Sequence, residues 1–152
     1  MTSWAMSNDD VEGNNVNADE VIVGIILEHY PAVQAIYLFG THGTEYERPD
    51  SDVDIAVLLP HLEARQQPQL ALTPCHTALS VALKKPVDLV NIRQVSTVFQ
   101  NEIVNTGRRL SCVDEYAAGE FEMLTLSYYQ ELNEERKEIL AAFRETGKAY
   151  NV

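Results

Sequence analysis

Ala35-Ile36-Tyr37-Leu38-Phe39-Gly40-Thr41, then ten residues, then Asp52-Val53-Asp54-Ile55-Ala56-Val57-Leu58-Leu59 is the stretch on which the fold turns. Five apolar residues ending in glycine read as a buried strand that stops at a turn. Thr41 to Ser51 is polar and holds Gly43 and Pro49, so it reads as loop, with at most a turn of helix at its start. Val53 to Leu59 is the strongest strand in the chain, and Pro60 closes it. Side chains alternate along a strand, so Asp52 and Asp54 share one face while Val53, Ile55 and Val57 take the other.

Working outward, Asn17 is placed to cap a helix from Ala18 to His29, with Val21, Ile22, Ile25 and Ile26 on one stripe and Pro31 as a stop. Residues 1–17 are polar and read as a flexible N-terminal tail, which leaves 18–150 as a single domain. From Glu63 to Leu83 the pattern is helical but broken by Pro68 and Pro74, which predicts two pieces. Pro86 introduces a third strand, Val87 to Ile92. Ser96 caps a short helix that ends near Thr106-Gly107, where the glycine offers a left-handed stop. Arg109 to Val113 reads as a fourth short strand. Asp114 then opens a long helix to about Glu145, with Phe121, Leu124, Tyr128, Leu132, Ile139 and Phe143 among its apolar positions. The expected class is α+β: a small mixed sheet flanked by helices, with a long C-terminal helix.

Composition narrows the function. The chain has 152 residues, 45% of them hydrophobic, so it can build a core rather than stay disordered. Its 11 Lys and Arg against 23 Asp and Glu give a net charge of −12, which repels a phosphate backbone at long range. Arg108-Arg109 and Lys84-Lys85 are isolated pairs that read as solvated surface, so direct nucleic-acid binding is not expected. No apolar run approaches the ~18 residues of a membrane span, and the N-terminus carries no secretory pattern. Two cysteines, Cys75 and Cys112, suit idle thiols in a reducing cytoplasm.

Two carboxylates two residues apart on one strand face repel each other. A divalent cation resolves that, and Mg²⁺ takes oxygen ligands from one or two carboxylates plus substrate phosphates; a solvated strand end without metal is the plainer reading. Asp88 stands inside the apolar strand Val87 to Ile92, where an unpaired buried charge costs several kcal/mol. If that strand lies beside the first, Asp88 becomes a third carboxylate facing the same cations. Otherwise it meets water or Arg93. Gly40 lets backbone N–H groups approach a phosphate, and Thr41 adds a hydroxyl. His42 and His76 read as exposed loop histidines or phosphate contacts. Arg48 and Arg93 are candidates to neutralise triphosphate charge, and the Tyr128-Tyr129 pair reads as helix packing.

The combination of a strand, Gly40-Thr41, ten residues, Asp52-Val53-Asp54 and Asp88 on a third strand resembles the polymerase-β-type nucleotidyltransferase superfamily. Its signature is Gly-[Ser/Thr], a loop, Asp-x-Asp and a later Asp. The likeness runs more weakly through Pro86-Val87-Asp88-Leu89-Val90 and Gly107-Arg108-Arg109-Leu110, covering about Ala18 to Leu140. The layout is similar to the minimal nucleotidyltransferase antitoxins of HEPN–MNT toxin–antitoxin modules. That resemblance implies the nucleotidyltransferase fold and transfer of AMP from ATP to a tyrosine of a partner HEPN-family ribonuclease toxin. It further implies catalytic and Mg²⁺-binding roles for Asp52, Asp54 and Asp88, and nucleotide binding by Gly40, Thr41, Asp52 and Asp54. Ser is commonest after the glycine in this family; Thr41 keeps the hydroxyl. The alternatives are an antitoxin that acts by steric binding, and an enzyme adenylylating a small molecule such as an aminoglycoside. A glycosyltransferase fits less well, because this chain is short for its larger nucleotide-binding unit.

Overall fold

The computed structural model describes residues 14–40 and 52–146. Helix α1 spans Asn14–His29. It therefore starts before the expected cap, and Asn17 is a helical position: nothing between 14 and 17 breaks the backbone, and a cap preference of ~1 kcal/mol does not stop a helix that can propagate. The tail before residue 14 lies outside the described residues. Strand β1 is Ala35–Phe39 and β2 is Val53–Leu58. Helices α2 (His61–Gln66) and α3 (Pro74–Leu83) are the two pieces that the prolines predict. Strand β3 is Val87–Asn91, followed by a 3-10 turn at Ile92–Gln94. Helix α4 is Thr97–Thr106, β4 is Arg108–Cys112 and α5 is Glu115–Thr146. No described helix is long and apolar enough to cross a membrane.

The sheet order is β3-β2-β1-β4. β1 pairs antiparallel with β2 and β4, while β3 lies parallel to β2. Because β2 is central, both of its faces are covered. Val53, Ile55 and Val57 join Ile36, Leu38, Val87 and Leu89 beneath α1 and α3, where Ile22, Ile26 and Leu79 are fully buried. Ala56 and Leu58 join Ala35, Tyr37 and Val90 against Ile103 of α4 and Ala118 and Phe121 of α5. Each buried Ile or Leu contributes ~1.5–3 kcal/mol, so these two faces outweigh any cap in holding the sheet.

Local signals set most boundaries. Thr73 Oγ1 accepts from the His76 N–H at 3.3 Å, with Pro74 at the first helical position. Ser96 Oγ accepts from the Phe99 N–H at 3.2 Å, as expected of a cap. Asp114 Oδ1 accepts from the Ala117 N–H at 3.0 Å and opens α5. Gly107 departs from expectation. Its φ is −82°, so α4 does not end in a left-handed residue. Glycine is required there by proximity: a Cβ would lie 2.5 Å from the Ile103 carbonyl oxygen and 3.1 Å from that of Leu38. Both are backbone atoms and yield poorly. Gly107→Ala should therefore lower unfolding stability by about 1–3 kcal/mol, read as a lower urea midpoint at unchanged slope.

Helix α5 seals one face and then outruns it. Ala118, Phe121 and Thr125 are buried. Tyr37 Oη donates to Glu122 Oε2 at 2.7 Å, tying β1 to α5, and burial with that carboxylate pushes the phenol well above its ordinary pKa. Leu124, Tyr128 and Ile139, read from sequence as apolar helix positions, are 41%, 52% and 55% exposed.

Candidate active site

Chain geometry brings three carboxylates to one end of the sheet. Asp54 sits second in β2, in register with Phe39 at the end of β1 on one side and with Asp88 of β3 on the other. Asp52 lies just before β2 and is exposed. Val53 N–H donates to the Pro86 carbonyl at 2.9 Å, which locks the entry of β3 against that of β2. Val53 and Val87 are buried on the opposite face, so the alternation that fills the core also directs Asp54 and Asp88 away from it.

Gly40 closes the site from the β1 side. Its φ is +79°, a left-handed conformation that L side chains resist. A Cβ there would lie 2.1 Å from Asp54 Oδ2. Two demands meet at one residue: the turn needs positive φ, and the Asp54 carboxylate occupies the space of a side chain. Burial, then the charges of Asp88 and Asp52, hold the Asp54 carboxyl above the usual carboxylate range. Phe39 packs edge-on against Phe99 of α4, ring centroids 5.6 Å apart, which steadies the strand end. Among the described residues, no three of His, Cys, Asp and Glu form a metal-holding group by themselves.

Other candidates fall elsewhere. Thr41, His42 and Arg48 lie outside the described residues. Arg93 does not face the carboxylates and is not paired with Asp88. Its Nε donates to the Leu59 carbonyl, its Nη2 donates to Gln34 Oε1 at 2.8 Å, and its guanidinium lies over the Phe121 ring. Those partners are at the far end of β2. His76 is on α3 rather than in a loop, and its Nε2 donates to the Val87 carbonyl at 2.8 Å. It therefore braces the strand that carries Asp88, a role with no signal in the sequence beyond the Thr73-Pro74 cap that starts its helix. Arg108 pairs with Asp19 at 2.9 Å, and Arg109 lies near Glu115 and Glu122, so that pair serves the surface. Cys75 is buried and its thiol is pushed up to about 11, which makes it inert at neutral pH.

A left-handed glycine thus lies against an Asp-x-Asp carboxylate, with a third Asp on the parallel neighbour strand. The chain belongs to the polymerase β nucleotidyltransferase family, whose model matches residues 23–116. It is 34% identical over 122 residues to the protein adenylyltransferase MntA of Shewanella oneidensis, covering 78% of this chain and 82% of that protein. Solved structures agree. A chain of the toxin–antitoxin with AMP-PNP superposes with a TM-score of 0.64 at 30% identity, covering 83% of this chain and 98% of that one. A chain of the tri-AMPylated Shewanella oneidensis HEPN toxin in complex with MNT antitoxin gives 0.60 at 30% identity, covering 84% and 96%. A chain of the MntA–HepT toxin–antitoxin gives 0.59 at 30% identity, covering 84% and 97%.

Proposed function

We propose that this chain is a cytoplasmic protein adenylyltransferase and the antitoxin of a HEPN–MNT pair, transferring AMP from ATP to a tyrosine of its cognate HEPN toxin. The observation that carries the reading is the apposition of Gly40 and Asp54, with Asp52 and Asp88 at the same strand end. The relatives supply the direction. One is a protein adenylyltransferase, one solved neighbour carries AMP-PNP, and another is a complex with a tri-AMPylated HEPN toxin.

The donor set fits Mg²⁺: three carboxylates meet at one sheet end, with Asp54 raised by burial and then by its two neighbours, and among the described residues no Lys or Arg is paired with them. They would complete a metal site only together with phosphate oxygens, as is usual for this ion. Asp52, Asp54 and Asp88 would hold it, and it would neutralise triphosphate charge during displacement at the α-phosphorus. Gly40 and Thr41 would hold the outer phosphates through backbone N–H groups and the Thr41 hydroxyl. Asp88, the exposed member of the Asp54–Asp88 pair, would take the proton of the tyrosine hydroxyl. The oxygen–phosphorus bond forms at the α-phosphorus, the bond to the β-phosphate oxygen breaks, and pyrophosphate leaves. Positioning and charge neutralisation supply most of the rate gain.

The test mixes the chain with Mg²⁺, α-labelled ATP and the cognate toxin. Label on the toxin, absent with Asp52→Asn/Asp54→Asn, supports the reading. A tight complex without label points instead to an antitoxin that acts by steric binding. Chelation by excess EDTA should reduce labelling to background while the complex persists, and restored Mg²⁺ should restore it. Labelling that survives chelation would remove the metal from the mechanism.

A further inference from the structure

At the end of the sheet opposite the three carboxylates lies a cavity of about 490 Å³. Leu59 lies five residues beyond Asp54 along β2 and its exit, roughly 16 Å at the rise of an extended strand, so the cavity is not part of the site described above. α2 contributes His61 and Arg65, the 3-10 turn Arg93 and Gln94, α4 Gln100, and α5 a wall that includes Leu124 and Tyr128. Its volume is that of a small-molecule site.

Its charge is the unusual part. Carboxylates outnumber Lys and Arg by 23 to 11 in this chain, yet two guanidiniums and an imidazole meet here. Neither Arg65 nor Arg93 has a carboxylate within 4.0 Å among the described residues, whereas Arg108 and Arg109 do. Glu120, also in the lining, bears on Arg93 only at longer range. Arg93 is also preorganised. The Leu59 carbonyl, Gln34 and the Phe121 ring fix its plane and leave Nη1 without a hydrogen-bond partner among the described residues. A fixed guanidinium loses little entropy on binding an oxyanion.

We propose that this cavity binds a phosphate-bearing heteroaromatic small molecule of nucleoside-monophosphate size. Arg65, Arg93 and His61 hold the phosphate, and Leu124 and Tyr128 flank the planar body. A phosphate accepts several charge-assisted hydrogen bonds at once, which suits a cavity lined by three nitrogen-bearing side chains better than a single carboxylate would. A bare phosphate leaves most of the volume empty, and Tyr128 supplies the lining with an aromatic ring on which a planar group can stack. The inference does not rest on the adenylyltransferase reading.

The test titrates the full-length chain with AMP, without divalent cation, and follows backbone amides by NMR. Saturable shifts should fall on residues 61–65, 93–100 and 120–128 and leave Gly40, Asp54 and Asp88 unmoved. Arg65→Ala, at an exposed position without a side-chain hydrogen bond or ion pair among the described residues, should weaken binding about tenfold or more. Asp52→Asn/Asp54→Asn should leave it unchanged. Shifts at Gly40 and Asp54 instead, equal affinity in Arg65→Ala, or no saturation by about 10 mM would overturn the proposal. Inorganic phosphate binding as tightly as AMP would overturn the heteroaromatic assignment. Shifts produced only by the cognate toxin would make the cavity a protein contact and overturn the small-molecule assignment.

Discussion

Asp54→Asn should abolish nucleotidyl transfer, by at least about a thousandfold, and yet melt at or above the temperature of the parent chain. The two halves of that result have one cause. Asp54 is half-buried beside Gly40 and in register with Asp88, so its charge is desolvated and repelled at once. A carboxyl whose pKa is raised by folding contributes stability below its unfolded pKa and loses it as pH rises through the folded value. At neutral pH the ionised Asp54 is therefore a cost to the fold, and an amide of the same shape removes it. The stability difference between parent and variant should shrink as the solution is acidified from neutral pH toward the ordinary aspartate value of about 4, because the raised carboxyl of the folded parent protonates on the way down. Thermal melts at both pH values, beside a labelling assay, make the measurement. A variant that melts well below the parent, or one that still transfers, would refute the placement of Asp54.

Gly40→Ala should damage both stability and activity. An L residue held at φ +79° costs roughly 1–2 kcal/mol, and the added methyl would overlap Asp54 Oδ2. The carboxylate is the softer partner and must swing away, so transfer should fall about a hundredfold even where the chain remains folded. Gly40→Asn separates the two effects. Asparagine tolerates the left-handed region better, so part of the stability should return, but its Cβ still displaces Asp54 and activity should not. Recovery of both together would show that the turn alone matters.

The strands and the three carboxylates were legible because alternation is a short-range rule: the β2 pattern places Asp52 and Asp54 opposite Val53, Ile55 and Val57, and burial agrees. Asp88 was legible for the same reason, since a charge inside an apolar strand demands an explanation. What escaped depended on contacts distant in sequence. Gly107 reads locally as a left-handed stop, but the carbonyls of Ile103 and Leu38 are what exclude a side chain there. Arg93 follows directly on the strand of Asp88, yet strand direction carries it to the other end, onto Leu59 and Gln34. His76 had no local mark at all, because its partner is the Val87 carbonyl of a different element. In α5 the apolar spacing holds through Tyr128 and Ile139, but no periodicity reports where the body beneath a helix stops.

The position of Asp54 on a strand buried on both sides has a consequence for quality control. A shift of β2 by one residue against its neighbours would turn Asp54 toward the core beneath α1 and α3 and force Val53, Ile55 and Val57 into the space that Ala56 and Leu58 fill against α4 and α5, so an unpaired charge is buried and both cores are mispacked, at a cost of several kcal/mol. Misregistered chains would thus be unstable before they could be catalytically wrong. The population of folded molecules should contain no subset that is well packed but misaimed, and activity per folded molecule should stay constant as the chain is titrated toward unfolding.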